Sequence, residues 1–167
     1  AIVAPLLVGL GFPTFCAVML GMMVQSTAVT FGAVGTPILV GVTGGLQSPE
    51  LTVELARSGL EFSEYIQLVT TKVVLMHSIA GVLMPTLMVS MMTRFFGKNK
   101  SWKEGFQIFP FTLFGGLAFV IPYSLTGIFL GPEFPSLLGA LVGIPIVVFA
   151  AKRGFLMPKN TWDFESE

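Results

Sequence analysis

The chain has 167 residues, of which 53% are hydrophobic and 11% charged, and its mean hydropathy is +0.84. In soluble domains roughly a quarter of the residues are charged, so this composition excludes a soluble domain. Disordered chains contain few aromatic residues, so the 16 Phe exclude a disordered chain. The 9 basic and 9 acidic side chains cancel, which leaves no net field to attract nucleic acid. One cysteine, Cys16, excludes a disulfide framework and a cysteine-based zinc site. The composition is that of an integral membrane protein.

Long apolar stretches predict where the chain crosses the membrane. A helix needs about 20 apolar residues to span a hydrocarbon core ~30 Å thick. The stretches that qualify or come close are residues 1–41, 65–96, 106–130 and 136–151. The first is too long for one straight span and contains three prolines, so we expect a helix, a break and a second helix. The prediction is an all-α, multi-pass membrane protein with a broken helix. Because the chain opens inside an apolar run without Met, we also expect a piece of a longer protein.

The charges between these stretches predict the sidedness of the loops. Segment 94–104 is rich in Lys and Arg, and the tail 152–167 opens with Lys152 and Arg153, followed by Lys159. Segment 43–64 is mainly acidic, and turn 131–136 carries only Glu133. Basic residues accumulate in cytoplasmic loops. We therefore expect 94–104 and 152–167 inside, and 43–64 and 131–136 outside. Within the acidic segment, an interfacial helix over 49–64 and a solvated loop remain equally open.

The strongest local signal lies in the first stretch, at residues 25–37, which place an amide, four hydroxyls and two glycines at membrane depth. Irregular backbone at this depth must be buried in protein or line a wet cavity, and transporters use broken helices of this kind as binding sites. The candidate substrate-binding residues are Gln25, Ser26, Thr27, Thr30, Gly32, Gly35 and Thr36. The alternative is a kinked helix whose small residues only pack against a neighbour. The residues alone leave both interpretations open.

Three ionisable residues are candidates for ion coupling: His77, Lys72 and Glu133. His77 can exchange a proton near neutral pH, or be a neutral side chain bonded to a hydroxyl or carbonyl. Placing the charged Lys72 side chain in the membrane costs free energy, unless its flexible stem lets the ammonium group reach the membrane interface. Glu133 belongs either to a solvated external turn or to a re-entrant tip, where it would be functional.

Several chemistries have no residues to support them. The sequence contains no phosphate-binding loop and no H-E-x-x-H motif, and His77 and Asp163 are the sole histidine and aspartate. We therefore predict no catalytic residue, no metal site and no cofactor, and the chain is not expected to be an enzyme. A membrane enzyme completed by segments outside this chain remains an alternative.

The segment STAVTFGAVGTPI at residues 26–38 resembles a signature segment of the lactate permease family of bacterial and archaeal membrane carriers. Residues 1–13, 130–143 and 158–164 are similar to other stretches of that family, in the expected order. The resemblance covers essentially the whole chain. Since family members are several times longer, it implies an internal fragment of roughly a third.

The resemblance implies uptake of lactate, and often glycolate, with protons through a multi-pass protein of the plasma membrane. It also implies a fold of inverted repeats with broken helices and re-entrant hairpins, as in ion-coupled carboxylate carriers. In related dicarboxylate carriers a Ser-Asn-Thr motif at a helix break contacts substrate and coupling ion. Ser26 and Thr27 are in a similar context, although the Asn is missing and Gln25 is the nearest amide. The implied partners are the lipid bilayer, lactate or glycolate, protons and the rest of the longer chain, with no nucleic acid. A non-transporting membrane scaffold or subunit, in which the glycines and hydroxyls serve packing, is the alternative.

Overall fold

The computed structural model describes residues 2–164, so position 1 of the predicted first stretch and positions 165–167 of the predicted tail lie outside the described residues. Within the described range the chain is helical apart from turns and an isolated antiparallel bridge between Gly97 and Phe164. The predicted all-α class is confirmed for this part of the chain.

Within residues 2–164, four helical segments are long and apolar enough to cross a membrane: Val29–Leu46, Phe62–Phe95, Phe109–Phe129 and Pro135–Lys152. The three later segments overlap the three later stretches predicted from the sequence. The prediction of a multi-pass membrane protein is thus supported by helix length and composition.

The described helices are, in chain order, α1 (Val3–Gly9), α2 (Thr14–Met23), α3 (Gly32–Thr36), α4 (Thr43–Leu46), α5 (Pro49–Ser58), α6 (Phe62–Phe95), α7 (Trp102–Gln107), α8 (Phe109–Phe129) and α9 (Pro135–Lys152). Two short 3₁₀ turns, Val24–Ser26 and Val29–Phe31, separate α2 from α3, and a π-helical segment, Pro37–Val42, joins α3 to α4.

The first apolar stretch is interrupted twice, where the sequence predicted one break. After α1, Gly11 adopts φ +92° and Pro13 is extended (φ −54°, ψ 141°), so the chain turns before α2 begins. Glycine tolerates the positive φ, and Pro13 has no N–H with which to continue the helix. The second interruption follows α2 and contains the predicted break.

The acidic segment contains a helix, α5, over residues 49–58, so a loop without secondary structure is wrong for this part, and the interfacial position of the helix stays a prediction. Ser48 precedes α5, and its hydroxyl accepts a hydrogen bond from the Leu51 amide at 3.2 Å. Pro49 occupies the first helical position, and Gly59 ends the helix in the left-handed conformation (φ +72°). These are the residues that favour a helix start and a helix stop.

The chain divides into two compact units. The first comprises Ala1–Thr27, Ala80–Leu117 and Ile146–Glu167, so far as these are described, and the second comprises Ala28–Ile79 and Ala118–Pro145. The core of the first unit contains Cys16, Leu20 and Met92. The core of the second contains Phe31, Ile38, Ile66, Val74 and Tyr123.

Polar side chains join α6 to α8 within each unit. In the second unit, Gln67 donates to the carbonyls of Gly127 (3.0 Å) and Ile128 (2.8 Å), and the hydroxyls of Ser78 and Ser124 lie 2.6 Å apart. In the first unit, the hydroxyls of Thr86 and Thr112 lie 2.7 Å apart. Such contacts hold helices together in lipid, where the hydrophobic effect does not drive their association.

Candidate functional site

The break in the second unit contains a left-handed turn, which occupies the middle of α3 and interrupts its right-handed helical geometry. Ala33 (φ 46°, ψ 47°), Val34 (φ 57°, ψ 46°) and Gly35 (φ 74°, ψ 9°) all lie in the left-handed region. Only glycine adopts this region freely, and a β-branched residue such as Val34 is a clear outlier there. Each non-glycine residue costs roughly 1–2 kcal/mol in this conformation. The turn therefore persists only because neighbouring parts of the protein hold it.

Local chemistry accounts for one side of this turn. Pro37 has no N–H to give to the carbonyl of Ala33, one helical turn earlier. The Thr36 hydroxyl takes that place and donates to the Ala33 carbonyl at 2.5 Å. The predicted site residue Thr36 is thus engaged with its own backbone, and its side chain is otherwise exposed.

The tip at residues 131–136 packs directly on the break. Gly35 is buried, and a β-carbon there would overlap the Pro132 carbonyl and lie 3.1 Å from the Glu133 amide nitrogen. The Ser136 hydroxyl donates to the Phe31 carbonyl. The break and the tip are therefore a single structural feature of the second unit. Gly32 differs from Gly35, because it has φ −63° and no atom lies within 4 Å of a β-carbon built on it.

An open cavity of about 320 Å³ lies where the break and the tip meet. Its lining includes Phe31, Gly32, Val34, Glu133 and Ser136. α9 begins beside it at Pro135, and the first amides of a helix have no intrahelical partner and carry partial positive charge. The cavity thus has mainly apolar walls with a helix N-terminus beside it. The helix N-terminus favours a small anion, whereas a carboxylate at Glu133 disfavours one.

His77 is hydrogen-bonded through both ring nitrogens. Its Nε2 lies 3.2 Å from the Thr30 hydroxyl, in the break, and its Nδ1 lies 3.0 Å from the Tyr123 hydroxyl, on α8. We call Thr30, His77 and Tyr123 the histidine triad. The Phe31 ring packs edge-on against both aromatic members, with centroids 6.0 Å from His77 and 5.6 Å from Tyr123. Phe31 also lines the cavity, so one aromatic side chain contacts both features.

The triad can bind and release a proton without moving its heavy atoms. A neutral imidazole has one donor and one acceptor nitrogen, whereas the protonated ring has two donors. A hydroxyl both donates and accepts. Thr30 and Tyr123 therefore satisfy either neutral tautomer and the cation by rotating their O–H bonds. This is a suitable environment for a residue that changes its protonation state during a cycle.

Three of the predicted site residues lie in the first unit instead. Ser26 donates to the Met23 carbonyl at 2.6 Å, and Thr27 donates to the Val24 carbonyl at 3.0 Å. Gln25 is exposed and borders an apolar cavity of about 200 Å³ formed with α1 and α2. The hydroxyls at 26 and 27 are thus used by their own helical turns.

The remaining candidates fall into two groups. Thr30, Gly32, Gly35, Glu133 and His77 belong to the second unit and lie in the break or contact it. Lys72 is exposed on α6. Among residues 2–164 no group of three or more His, Cys, Asp or Glu side chains is placed to hold a metal ion.

Sequence reasoning missed Tyr123 and Ser136. Tyr123 lies on a different helix from His77, so no spacing in the sequence relates them. A usable signal existed, since a tyrosine in the middle of a membrane span needs a partner for its hydroxyl. Ser136 belongs to both the predicted turn 131–136 and the predicted last span, but it was not among the candidate site residues.

Comparison with known proteins adds an independent finding. The family model described as L-lactate permease matches residues 1–167. A putative L-lactate permease of Haemophilus influenzae is 32% identical over 96% of this chain and 26% of its own length. The L-lactate permease of Bacillus subtilis is 29% identical over 100% of this chain and 25% of its own length. The glycolate permease GlcA of Escherichia coli is 32% identical over 96% of this chain and 24% of its own length.

The chain spans about a quarter of the length of these relatives, somewhat less than the third implied by the resemblance. No solved structure matches the chain.

Proposed function

Because the chain belongs to the lactate permease family, we propose that it forms part of a carrier that moves lactate or glycolate through the cell membrane together with protons. The names of the relatives support these two substrates, since they include both lactate and glycolate permeases. The four apolar helical segments support a protein that spans the membrane several times.

The histidine triad is the observation that carries the proton part of the proposal. His77 is the sole histidine in the chain, and both of its ring nitrogens face hydroxyls. One of these hydroxyls belongs to Thr30, in the same break that lines the cavity. Proton binding at His77 is thereby linked to the conformation of the break. If a proton raises the affinity for substrate, the substrate raises the affinity for the proton by the same factor.

We place the substrate carboxylate in the cavity between the break and the tip. The available donors there are the backbone amides of Ser136 and Leu137 in the first turn of α9, since the Ser136 hydroxyl already donates to the Phe31 carbonyl. Glu133 also lines this cavity, and its carboxylate would repel an anionic substrate; a proton bound nearby would reduce that repulsion and so strengthen substrate binding. Proton and substrate would then bind together, as cotransport requires. Gln25, Ser26, Thr27, Thr36 and Lys72 remain predictions from the sequence.

We also propose that the break and the tip belong to an inverted-repeat carrier fold. Broken helices that face a binding cavity are the hallmark of such folds. The left-handed turn at 33–35 and the tip that covers it fit this pattern.

The test is uptake of labelled L-lactate into proteoliposomes that contain the full-length protein, with and without an inward proton gradient. The wild type is expected to accumulate lactate only with the gradient, and excess glycolate should inhibit it. His77→Gln keeps a donor and an acceptor but cannot carry the proton, so accumulation should fall at least tenfold while exchange of labelled for unlabelled lactate survives.

Ser78→Ala is the matched control, because it also removes a hydrogen bond between α6 and α8, but no titratable group. Full gradient-driven accumulation by His77→Gln would refute the role of His77. No uptake by folded, inserted wild type would refute the carrier itself and favour the scaffold alternative.

A further inference from the structure

The end of α9 folds back on itself in the first unit. The Gly154 amide donates to the Ala151 carbonyl, and the Phe155 amide donates to the Ala150 carbonyl, each at 3.0 Å. Gly154 adopts φ +67°. This pair of bonds around a left-handed glycine is a Schellman motif. It satisfies the last carbonyls of α9 and brings Phe155 back beside the helix.

The returning Phe155 closes one side of an apolar cavity. Its ring packs edge-on against Phe114 of α8, with centroids 5.4 Å apart. The cavity has a volume of about 400 Å³ and is lined by Phe114, Ile146, Phe149, Ala150, Arg153 and Phe155. All of these residues belong to the first unit, and Arg153 is the only charged one among them. Phe149 and Phe155 keep 57% and 51% of their surface exposed.

Arg153 lines this cavity and packs against one of its phenylalanines. Its Cζ lies 4.3 Å from the centroid of the Phe149 ring, a cation–π contact that orients the guanidinium. Within residues 2–164 no carboxylate forms an ion pair with Arg153, and the ion pair that is found joins Arg57 to Glu54. Lys152 is the neighbouring residue and is also basic. The positive charge therefore lies where α9, an apolar span, ends.

We propose that this cavity binds an anionic phospholipid, with an acyl chain against the phenylalanines and the phosphate on Arg153. The charge is complementary, and the guanidinium fork matches a phosphate geometrically. An exposed aromatic wall at the end of a membrane span is solvated by acyl chains, and basic pockets at helix ends select anionic headgroups. The occupant is thus a lipid that carries both features in one molecule. This site is separate from the cavity assigned to the substrate.

The experiment compares two lipids with identical chains, dioleoyl-phosphatidylglycerol and dioleoyl-phosphatidylcholine, added to the full-length protein in detergent. Native mass spectrometry counts the lipids that remain bound. The wild type should prefer phosphatidylglycerol, and Arg153→Gln should weaken its binding about fivefold while phosphatidylcholine binding is unchanged. Lys159→Gln removes the same charge from an exposed position and is the matched control, for which wild-type binding is expected.

The proposal is overturned if the wild type binds phosphatidylglycerol and phosphatidylcholine equally. That result is expected if another segment of the longer protein fills the cavity. The proposal is also overturned if Arg153→Gln and Lys159→Gln weaken binding equally, because the effect would then be one of general charge. If Arg153→Gln does not fold, Arg153→Lys replaces it. Loss of the planar fork should still weaken phosphatidylglycerol binding about twofold, and unchanged binding rejects the site.

Discussion

Gly35 lies so close to the Pro132 carbonyl that no β-carbon fits between them. This contact joins the middle of the broken first stretch to the tip that precedes α9. It holds the left-handed turn at 33–35 in place, although Ala33 and Val34 are strained there. The cavity assigned to the substrate is formed by the same two segments, so its shape depends on this contact.

Gly35→Ala should therefore destabilise the protein and abolish lactate uptake. The added methyl group meets the Pro132 carbonyl, and alanine at φ +74° costs roughly 1–2 kcal/mol. Overpacking adds about 1–3 kcal/mol. The measurement is the melting temperature in detergent together with uptake in proteoliposomes.

Gly32→Ala is the control for that substitution. Gly32 has an ordinary φ of −63° and open space around it, so the variant should melt and transport like the wild type. Equal damage from both substitutions would mean that the whole segment is intolerant, and that the contact with Pro132 is not the reason.

Tyr123→Phe should impair proton coupling more than substrate binding. The ring and its packing against Phe31 are retained, but the Nδ1 atom of His77 loses its hydroxyl partner. Leaving a polar group without its partner costs about 1 kcal/mol or more. Since 1.4 kcal/mol is a factor of about ten in an equilibrium constant, we expect gradient-driven accumulation to fall at least about fivefold. Lactate exchange without a gradient is measured in parallel and should fall much less.

Tyr65→Phe provides the comparison, since Tyr65 is the other tyrosine and lies outside the histidine triad. If Tyr123→Phe accumulates lactate as well as Tyr65→Phe does, the Tyr123 hydroxyl has no part in coupling.

The sequence predicted the parts of this site that depend on composition, and missed those that depend on tertiary contacts. Pro37 and the glycines indicated a break, because their backbone preferences act locally. His77 stood out because an ionisable side chain is rare in an apolar span. Its partner Tyr123 lies on another helix and could not be paired with it from spacing. The hydroxyls of Ser26 and Thr27 illustrate the converse, since a local carbonyl was available to each.

The paired hydroxyls of Thr86 and Thr112 should stabilise the first unit by a measurable amount. Both residues are buried, and their oxygens lie 2.7 Å apart. A double-mutant cycle with Thr86→Val and Thr112→Val, followed by unfolding in detergent, is expected to give a coupling energy of about 0.5–1.5 kcal/mol. A coupling energy indistinguishable from zero would show that the two hydroxyls do not stabilise each other.

Thr30 and Thr27 are both candidate site residues from the sequence, and they test the proposed histidine triad against the Gln25–Ser26–Thr27 segment. The Thr30 hydroxyl contacts His77, whereas the Thr27 hydroxyl bonds to the Val24 carbonyl of its own helical turn. Thr30→Val and Thr27→Val each replace a hydroxyl by a methyl group of similar size. We expect Thr30→Val to lower gradient-driven lactate uptake about tenfold, because Nε2 of His77 loses its partner. Thr27→Val should stay within about twofold of the wild type at equal protein level in the vesicles. If Thr27→Val lowers uptake more than Thr30→Val does, the substrate site lies at the Gln25–Ser26–Thr27 segment and the histidine triad has no part in the mechanism.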